Sequence, residues 1–420
     1  MSVIKNQHIY LPKRHLDFSK WAVIACDQFT SDEEYWEAVT NYTNDSPSTI
    51  NLIFPEIYLS RDNAERIKQI NQNMASYYQT GMLQDEGPCM ILVNRQTQNH
   101  KQRLGIVMAV DLEEYSFKDN EPAKIKATEG TIIDRIPPRV EIRKDAIFEL
   151  PHIMLLYDDR DLKIAENLLK NKESLEEVYN FVLNMEGGHI TGYKIKDTNA
   201  VIKQFDSLLA PEYLQKTFNT DTPLLFAVGD GNHSLATAKE HWNTIKVNMS
   251  EEEKSAHPAR FALVEAINIH DAGIEFEPIH RVIFNAGNSF AKKLKKIFKI
   301  NPKKADPSTY ITQKIIIGEK EEDFYLPSNS PLAIKMVQDF IDKYVGKKLE
   351  MSVDYIHGEK DLKDLCAKKP KAVGITLPTI DKNQLFEFII KHGVLPRKSF
   401  SIGEAREKRY YLEAHKIRLV

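Results

Sequence analysis

The sequence predicts a mixed α/β protein, and three features of the chain lead to this prediction. Short apolar runs of strand length alternate almost throughout with segments of helical spacing, a pattern typical of mixed architectures. Two of the runs flank a polar loop, which predicts a hairpin and argues against a purely parallel sheet. The chain has 420 residues, more than one hydrophobic core usually supports, so we expect more than one lobe.

The first part of the chain contains most of the predicted strands. Apolar runs between polar or glycine-containing segments mark them at Trp21–Cys26, Cys89–Val93, Leu104–Leu112, Ile153–Tyr157, Leu224–Val228 and Phe261–Ile269. A capping-box pattern, Ser174 with Glu177, predicts a helix that runs toward Met185. Helical spacing over Leu235–Trp242 predicts another helix soon after the strand Leu224–Val228.

The pattern of the chain changes beyond about Asn285, and the sequence predicts a domain boundary there. Residues 1–285 are the predicted main domain, and residues 286–420 are a predicted second α/β lobe with a basic C-terminal segment. The predicted elements of this lobe are a helix at Ser289–Phe298, strands at Lys314–Ile317 and Asp323–Leu326, a helix at Leu332–Tyr344, a strand at Val373–Leu377 and a helix at Asn383–His392. The basic segment, which includes Arg406, Lys408 and Arg409, can close over an anionic ligand or form a solvated face.

Composition and charge argue against several classes of protein. With 42% hydrophobic and 28% charged residues, the chain has the balance of an ordinary globular protein. Its formal net charge of -3 lacks the basic surplus typical of nucleic-acid binders, so nucleic acid is disfavoured as a partner. No apolar stretch has membrane-spanning length, the N-terminus does not resemble a signal peptide, and Cys26, Cys89 and Cys366 form no Cys-x-x-Cys pair. These features predict a cytoplasmic protein with no membrane partner.

The strongest local signal is the loop Gly229-Asp230-Gly231-Asn232-His233-Ser234 between a predicted strand and a predicted helix. Glycines let a backbone approach a ligand closely, and a helix N-terminus offers N–H groups and the positive end of the helix dipole, so the loop suits phosphate. Asp230 can hold Mg²⁺, which prefers carboxylate and phosphate oxygens, and His233 can donate a hydrogen bond to a phosphoryl oxygen. The alternative is a plain strand–turn–helix connection in which Asp230 and Asn232 serve turn geometry.

Segments around this loop and far from it resemble the family catalogued as domain of unknown function 1015. The stretches that carry the resemblance cover nearly the full length: IACDQFTSDEEYW (Ile24–Trp36), IKATEGTIIDRIPPRVEIRKDA (Ile125–Ala146), ELPHIMLLYDD (Glu149–Asp159), AVGDGNHSLATAKEHW (Ala227–Trp242), FEPIHRVIFN (Phe276–Asn285) and LPRKSFSIGEAREKRYYLEA (Leu395–Ala414). The family's name assigns no function.

The loop is also similar to the Asp-Gly-His-His-Arg motif of the ParB/sulfiredoxin superfamily, which includes sulfiredoxins, ParB nucleotide-binding domains and free-serine kinases. Asp230, Gly231 and His233 match the motif, which binds phosphate at a helix N-terminus in those proteins. Asn232 stands where the kinases have the first His and the sulfiredoxins have the catalytic Cys, which excludes sulfiredoxin chemistry. Ser234 stands where the others have Arg, so either a phosphate contact comes from elsewhere or the donor differs. The resemblance implies a ParB/sulfiredoxin-like core.

Phosphoryl transfer needs cations around the moving group. Arg139, Arg143 and Arg281 are the candidate phosphate ligands, because an arginine fork suits phosphate oxygens. His280 precedes Arg281, and we expect the pair on a loop at a strand edge. A solvated surface ion pair is the alternative for each arginine.

The reaction also needs a base for the accepting hydroxyl, and Glu129 is the candidate. It lies in the polar, glycine-containing stretch Ala127–Thr131, where a carboxylate can take a proton as transfer proceeds. The alternative is an exposed loop glutamate. Asp27 and Asp134 are weaker candidates for the same task.

The first functional hypothesis, which the resemblance implies, is a small-molecule kinase that makes O-phosphoserine from free L-serine. Its donor is ATP, ADP or pyrophosphate with Mg²⁺, bound at Asp230–Ser234. His233 and Arg281 stabilise the transferring charge and Glu129 is the base. A second hypothesis is a ParB-like nucleotide-binding regulatory protein that binds CTP or ATP without modifying a metabolite. A third is a metal-dependent phosphohydrolase that uses the same metal site.

Overall fold

The computed structural model describes residues 2–30, 32–59, 63–119, 121–297, 300–345, 350–369 and 371–419. The chain divides into two compact units. The first unit comprises Met1–Ile274 together with Glu404–Val420, and the second comprises Glu275–Gly403. The C-terminal segment therefore belongs to the first unit, whereas the sequence predicts it in the second lobe. The observed boundary precedes the predicted one because residues 276–284 form a strand of the second unit's sheet.

The strands are β1 (Ile4–Lys5), β2 (His8–Pro12), β3 (Val23–Ile24), β4 (Leu83–Pro88), β5 (Met90–Gln96), β6 (Arg103–Asp111), β7 (Tyr115–Ser116), β8 (Ile125–Ala127), β9 (Phe148–Glu149), β10 (Met154–Tyr157), β11 (Glu176–Leu183), β12 (Gly188–Ile195), β13 (Phe226–Asp230), β14 (Phe261–Asn268), β15 (Phe276–Phe284), β16 (Tyr310–Ile317), β17 (Lys320–Pro327), β18 (Ser352–His357), β19 (Val373–Ile375), β20 (Phe400–Ile402), β21 (Tyr410–Tyr411) and β22 (His415–Lys416). The helices are α1 (Phe18–Trp21), α2 (Glu33–Thr43), α3 (Ala64–Gln79), α4 (Ile136–Arg143), α5 (Ala165–Lys170), α6 (Thr198–Ser207), α7 (Pro211–Phe218), α8 (Asn232–Ile245), α9 (Glu251–Ala256), α10 (Gly287–Ile297), α11 (Ser330–Val345), α12 (Glu359–Lys368) and α13 (Lys382–His392).

The first unit is built on a mixed sheet with the strand order β11-β12-β5-β6-β14-β10-β13-β8-β7, and β1 pairs with β6. The strands β6 and β14 are buried along their whole length, which marks them as the centre of the core. β13 lies between β10, which runs antiparallel to it, and β8, which runs parallel. This arrangement confirms the predicted mixed architecture and the predicted hairpin, which is formed by β5 and β6.

The helix predicted after Ser174 is wrong, because the structure has the strand β11 at Glu176–Leu183. This strand pairs antiparallel with β12, and β12 pairs in turn with β5. The capping-box pattern is a local signal, whereas β11 is held by cross-strand hydrogen bonds to residues further along the chain. Pairing with a neighbouring strand therefore overrides the helix-start pattern.

The second unit contains an antiparallel sheet with the order β17-β16-β19-β15-β18, and β20 pairs with β15. In the described part of this unit, the helices of eight or more residues are α10 to α13. The helix predicted at Ser289–Phe298 corresponds to α10, and Phe298 lies outside the described residues. Among the described residues, no helix of either unit is both long enough and apolar enough to cross a membrane.

Candidate functional site

The glycine-containing loop is a tight strand-to-helix turn. β13 continues through Asp230, Gly231 alone makes the turn, and α8 begins at Asn232. Gly231 has a φ of +83°, a backbone conformation that favours glycine. A Cβ atom at this position would lie 3.1 Å from the Cα of Ile153. Both the backbone conformation and the close approach of Ile153 therefore require glycine here.

The first turn of α8 has the features of an anion site. The N-cap residue, Gly231, has no side chain that could cap the helix, whose first turn begins directly after Asp230. The backbone N–H of Gly231 donates to Oδ1 of Asp230 at 2.9 Å, which orients that carboxylate. The amide oxygen Oδ1 of Asn232 is buried, and no described residue donates a hydrogen bond to it. A buried acceptor of this kind is costly unless a ligand or ion satisfies it.

One flank of the turn is formed by residues 127–132. Ala127 of β8 lies opposite Val228 of β13 in a parallel pair, and the Thr128 hydroxyl donates to the Val228 carbonyl at 2.6 Å. The backbone N–H of Ile132 donates to Nε2 of His233 at 3.3 Å, which places the proton of a neutral ring on Nδ1. Glu129 lies between these two contacts. The structure therefore brings Asp230, His233 and Glu129 to the same edge of the sheet.

The other flank contains a chain of hydrogen bonds that the sequence did not predict. The hydroxyl of Ser234 is 2.8 Å from Nε2 of His152, and Nδ1 of the same ring is 3.0 Å from the hydroxyl of Tyr411. The Tyr411 oxygen also accepts the backbone N–H of Cys26 at 3.1 Å. Burial raises the pKa of Tyr411 well above its usual value, so its hydroxyl remains protonated.

Carboxylates and a lysine surround the same turn. Burial raises the pKa of Asp27; His152 opposes this shift, while Asp230 and Glu56 raise the pKa further. Nζ of Lys408 lies 3.4 Å from Oδ2 of Asp230. In the described ranges, no three His, Cys, Asp or Glu side chains form a metal-ligand group. The carboxylates nevertheless fit Mg²⁺, which commonly uses one or two carboxylates together with substrate phosphates.

Two of the predicted phosphate ligands are in ion pairs within the first unit. Nε of Arg139 donates to Oε1 of Glu56 at 2.9 Å, and its Nη1 donates to the Arg135 carbonyl at 2.7 Å. Nη2 of Arg143 donates to Oε2 of Glu149 at 2.5 Å. Both guanidinium groups are largely buried, unlike a solvated surface pair. To contact a phosphate, each would have to share its charge with a carboxylate that it already binds.

The loop predicted for His280 and Arg281 is wrong, because both residues lie within β15 of the second unit. Arg281 is fully buried; its Nε donates to Oε1 of Gln338 at 2.8 Å and its Nη1 donates to the Ile279 carbonyl at 2.7 Å. Nδ1 of His280 accepts the backbone N–H of Leu377 at 3.1 Å, and burial lowers the pKa of this histidine. The strand places both side chains in the packed interior of the second unit, where they serve its internal hydrogen bonding.

The sequence analysis did not identify His152 as a site residue. It gave Asp27 only as a weaker candidate for the base and Lys408 only as a member of the basic segment. His152 follows Pro151 and precedes a buried strand, with no metal-ligand spacing that marks it as functional. Lys408 belongs to the predicted basic segment, and the structure shows that one member of that segment contacts Asp230. Its neighbour Arg409 is instead buried between Glu265 and Glu413. Basic character alone did not distinguish these two neighbours.

Comparison with solved structures finds distant similarity in chain path. A mutant free serine kinase in complex with AMP has a TM-score of 0.40 and 11% identity, with 74% of this chain and 92% of that chain covered. A conserved hypothetical protein from Pyrococcus furiosus has a TM-score of 0.33 and 14% identity, with coverage of 73% and 90%. C-terminally truncated SbnI from Staphylococcus aureus has a TM-score of 0.37 and 10% identity, with coverage of 71% and 82%.

Comparison by sequence is more specific. No curated protein matches the chain. The sequence pattern of the family described as "Protein of unknown function (DUF1015)" matches residues 9–346, which is most of the 420-residue chain. The chain belongs to this family.

Proposed function

We propose that this protein is a phosphotransferase that binds a phosphate donor at the N-terminus of α8 and phosphorylates the hydroxyl of free L-serine. The observation that carries the proposal is the start of α8, whose N-cap residue, Gly231, has no side chain to occupy the helix N-terminus. The buried Oδ1 of Asn232, which has no hydrogen-bond partner among the described residues, suits the cation that accompanies a phosphate donor. The helix start supplies N–H groups for an anion, and Gly231 lets the ligand approach the backbone. The choice of a kinase, and of L-serine as acceptor, follows the resemblance of the loop to free-serine kinases.

Magnesium fits this site, because the Asp230 carboxylate and the buried Asn232 amide oxygen are both hard oxygen ligands. Asp230 would hold the ion, and Asp27 lies close enough to interact electrostatically with the Asp230 carboxylate. When bound, Mg²⁺ neutralises charge on the phosphoryl group that moves. ATP, ADP and pyrophosphate all present the phosphate oxygens that such a site binds.

The remaining roles follow from the two flanks of the turn. The backbone of Gly229–Ser234 would bind phosphate oxygens, and His233 would donate from Nδ1, because Nε2 already accepts the Ile132 N–H. Lys408 would supply positive charge next to Asp230, the contribution that the superfamily's Arg makes at position 234. Glu129 would take the proton of the accepting hydroxyl.

The test is formation of O-phosphoserine from L-serine and Mg²⁺, with ATP, ADP and pyrophosphate offered separately. We expect product with one of the three donors. Asp230→Asn keeps the shape of the side chain but removes its charge, and should lower turnover by about 100-fold or more. Asp221→Asn is the matched control, because Asp221 is an exposed carboxylate that precedes β13 and contacts Gln215.

The alternatives make different products. Phosphate release without O-phosphoserine would support a phosphohydrolase, and nucleotide binding without any turnover would support a regulatory protein. Near-normal O-phosphoserine formation by the Asp230→Asn variant would contradict the role assigned to Asp230. Normal turnover in Glu129→Gln would move the base to another carboxylate, for which Asp27 is a candidate because it interacts electrostatically with Asp230.

A further inference from the structure

Ser234 and His152 have the geometry of a nucleophile and its base. The Ser234 hydroxyl is 2.8 Å from Nε2 of His152, within the distance at which a histidine can accept a hydroxyl proton. His152 is buried, and its ring is oriented from the other side by the Tyr411 hydroxyl, 3.0 Å from Nδ1. A hydroxyl, a histidine and a third group that orients the histidine are the arrangement that activates serine nucleophiles.

The contact between Tyr411 and Nδ1 of His152 matters for the proton on this ring. The Tyr411 oxygen accepts the Cys26 backbone N–H at 3.1 Å and lies 3.0 Å from Nδ1. A base at His152 requires that Nδ1–H donate and the Tyr411 oxygen accept. A neutral His152 then has its lone pair on Nε2, directed at Ser234. This is the tautomer that a general base needs.

The pair is also accessible to a substrate. Ser234 lies in the first turn of α8, where N–H groups and the helix dipole stabilise negative charge. Both Ser234 and His152 line a cavity of about 160 Å³ in the first unit. Its other walls combine apolar side chains, among them Ile70 and Phe148, with the ion-paired Arg139 and Arg143.

We propose that Ser234 accepts the phosphoryl group covalently, with His152 as its base, before the group passes to the acceptor. Ser234 Oγ attacks the terminal phosphorus of the donor, forming an Oγ–P bond, and the bond from that phosphorus to the bridging oxygen breaks. The electron pair leaves with the bridging oxygen on the shortened donor, and the Oγ proton passes to Nε2 of His152. The acceptor hydroxyl then attacks the phosphorus, and the Oγ–P bond breaks. His152 returns its proton to Oγ, and the acceptor's proton passes to the base proposed above.

This inference rests on the part of the proposed function that places a phosphate donor at α8, and it does not depend on the identity of the acceptor. The experiment incubates the full chain with Mg²⁺ and ATP, ADP or pyrophosphate in separate reactions without any acceptor, and then measures the intact mass and maps the phosphorylated peptide. We expect a mass increase of one phosphoryl group, located on Ser234 by fragmentation of the wild-type peptide. His152→Gln should slow labelling by about 100-fold or more, because glutamine can hold the hydrogen bond but cannot take the proton.

Two variants sharpen the assignment. Thr237→Val is the matched control: Thr237 lines the same cavity, but its hydroxyl donates to the His233 carbonyl at 2.7 Å and has no base, so Ser234 should still be labelled. Tyr411→Phe removes the acceptor for Nδ1–H and should change the pH profile of labelling, a readout that a purely structural role would not move.

The outcomes separate the two proposals. Label on Ser234 without O-phosphoserine upon serine addition supports the covalent step and removes L-serine as the acceptor. O-phosphoserine formation with no label, and with normal turnover in Ser234→Ala, overturns the covalent step and leaves the kinase intact. Neither label nor product, with any of the three donors, overturns both.

Discussion

Arg409 is buried between two carboxylates and allows a quantitative test of how the C-terminal segment is held. Its Nη1 donates to Glu265 and its Nη2 to Glu413, while Nε donates to the Pro151 carbonyl at 3.0 Å. The side chain of Arg409 is 2% exposed, and those of its carboxylate partners are 3% and 0% exposed. Burial alone would raise the pKa of Glu265, but Arg409 and Arg103 lower it.

The substitution Arg409→Met keeps much of the aliphatic stem and removes the charge. It leaves Glu265 and Glu413 buried without their main cation, and breaking a buried pair in this way costs about 3–5 kcal/mol. The deficit should depend on pH. In the variant Glu265 stays buried without Arg409, so its folded pKa rises above the unfolded value and protonation favours the folded state. The variant should therefore recover stability relative to wild type as the pH falls from 7 toward 4.

The assay is denaturant unfolding followed by tryptophan fluorescence. The three tryptophans, Trp21, Trp36 and Trp242, all belong to the first unit and are buried, so the signal reports the unit that contains Arg409. Arg418→Met is the control, since Arg418 is about half exposed next to Asp145 and should change stability by less than about 0.5 kcal/mol. If Arg409→Met lowered the free energy of unfolding by less than about 1 kcal/mol, the idea that Arg409 is the main cation for these two buried carboxylates would be refuted.

Three further predictions concern the candidate site and the helix that carries it. Gly231→Ala should cost about 1–2 kcal/mol of backbone strain, and the new Cβ would crowd Ile153. The variant should therefore bind pyrophosphate more weakly in calorimetry. Unchanged binding would contradict the requirement for glycine at this turn. Burial lowers the pKa of His241 to about 4, so the folded state resists protonation of this ring. The free energy of unfolding should therefore fall by about 2 kcal/mol between pH 7 and pH 5. A His241→Leu variant with the same pH dependence would show that other groups are responsible. Lys408→Met should weaken donor binding, with the loss decreasing at high salt, and a salt-independent loss would argue against a charge effect next to Asp230.

Local patterns in the sequence predicted the strand, the turn and the helix that form the candidate site. The turn at Gly231 and the helix after it depend on residues adjacent along the chain, so the strand, the glycine and the helix are visible without tertiary contacts. Glu129 also follows a strand end, and parallel pairing of that strand with β13 places its segment next to the turn.

Other predictions needed information that local patterns do not contain. The expected helix after Ser174 is a strand because hydrogen bonds from β12 determine its conformation. Arg281 is a buried residue of β15, since the backbone around it pairs with two strands that come much later in the chain. The identity of a basic residue does not reveal which carboxylate it pairs with in the folded protein.

The sequence by itself determined the mixed architecture and the strand–glycine–helix turn, because periodicity and glycine conformation act over short distances along the chain. The family followed from the resemblance of long segments of the chain. Only the tertiary structure decided which side chains meet at that turn. His152 precedes Ser234 by 82 residues, and Lys408 reaches Asp230 because the last residues of the chain pack back onto the first unit. The physical reason is that hydrogen bonds and ion pairs depend on distance in space, and folding of the whole first unit sets that distance.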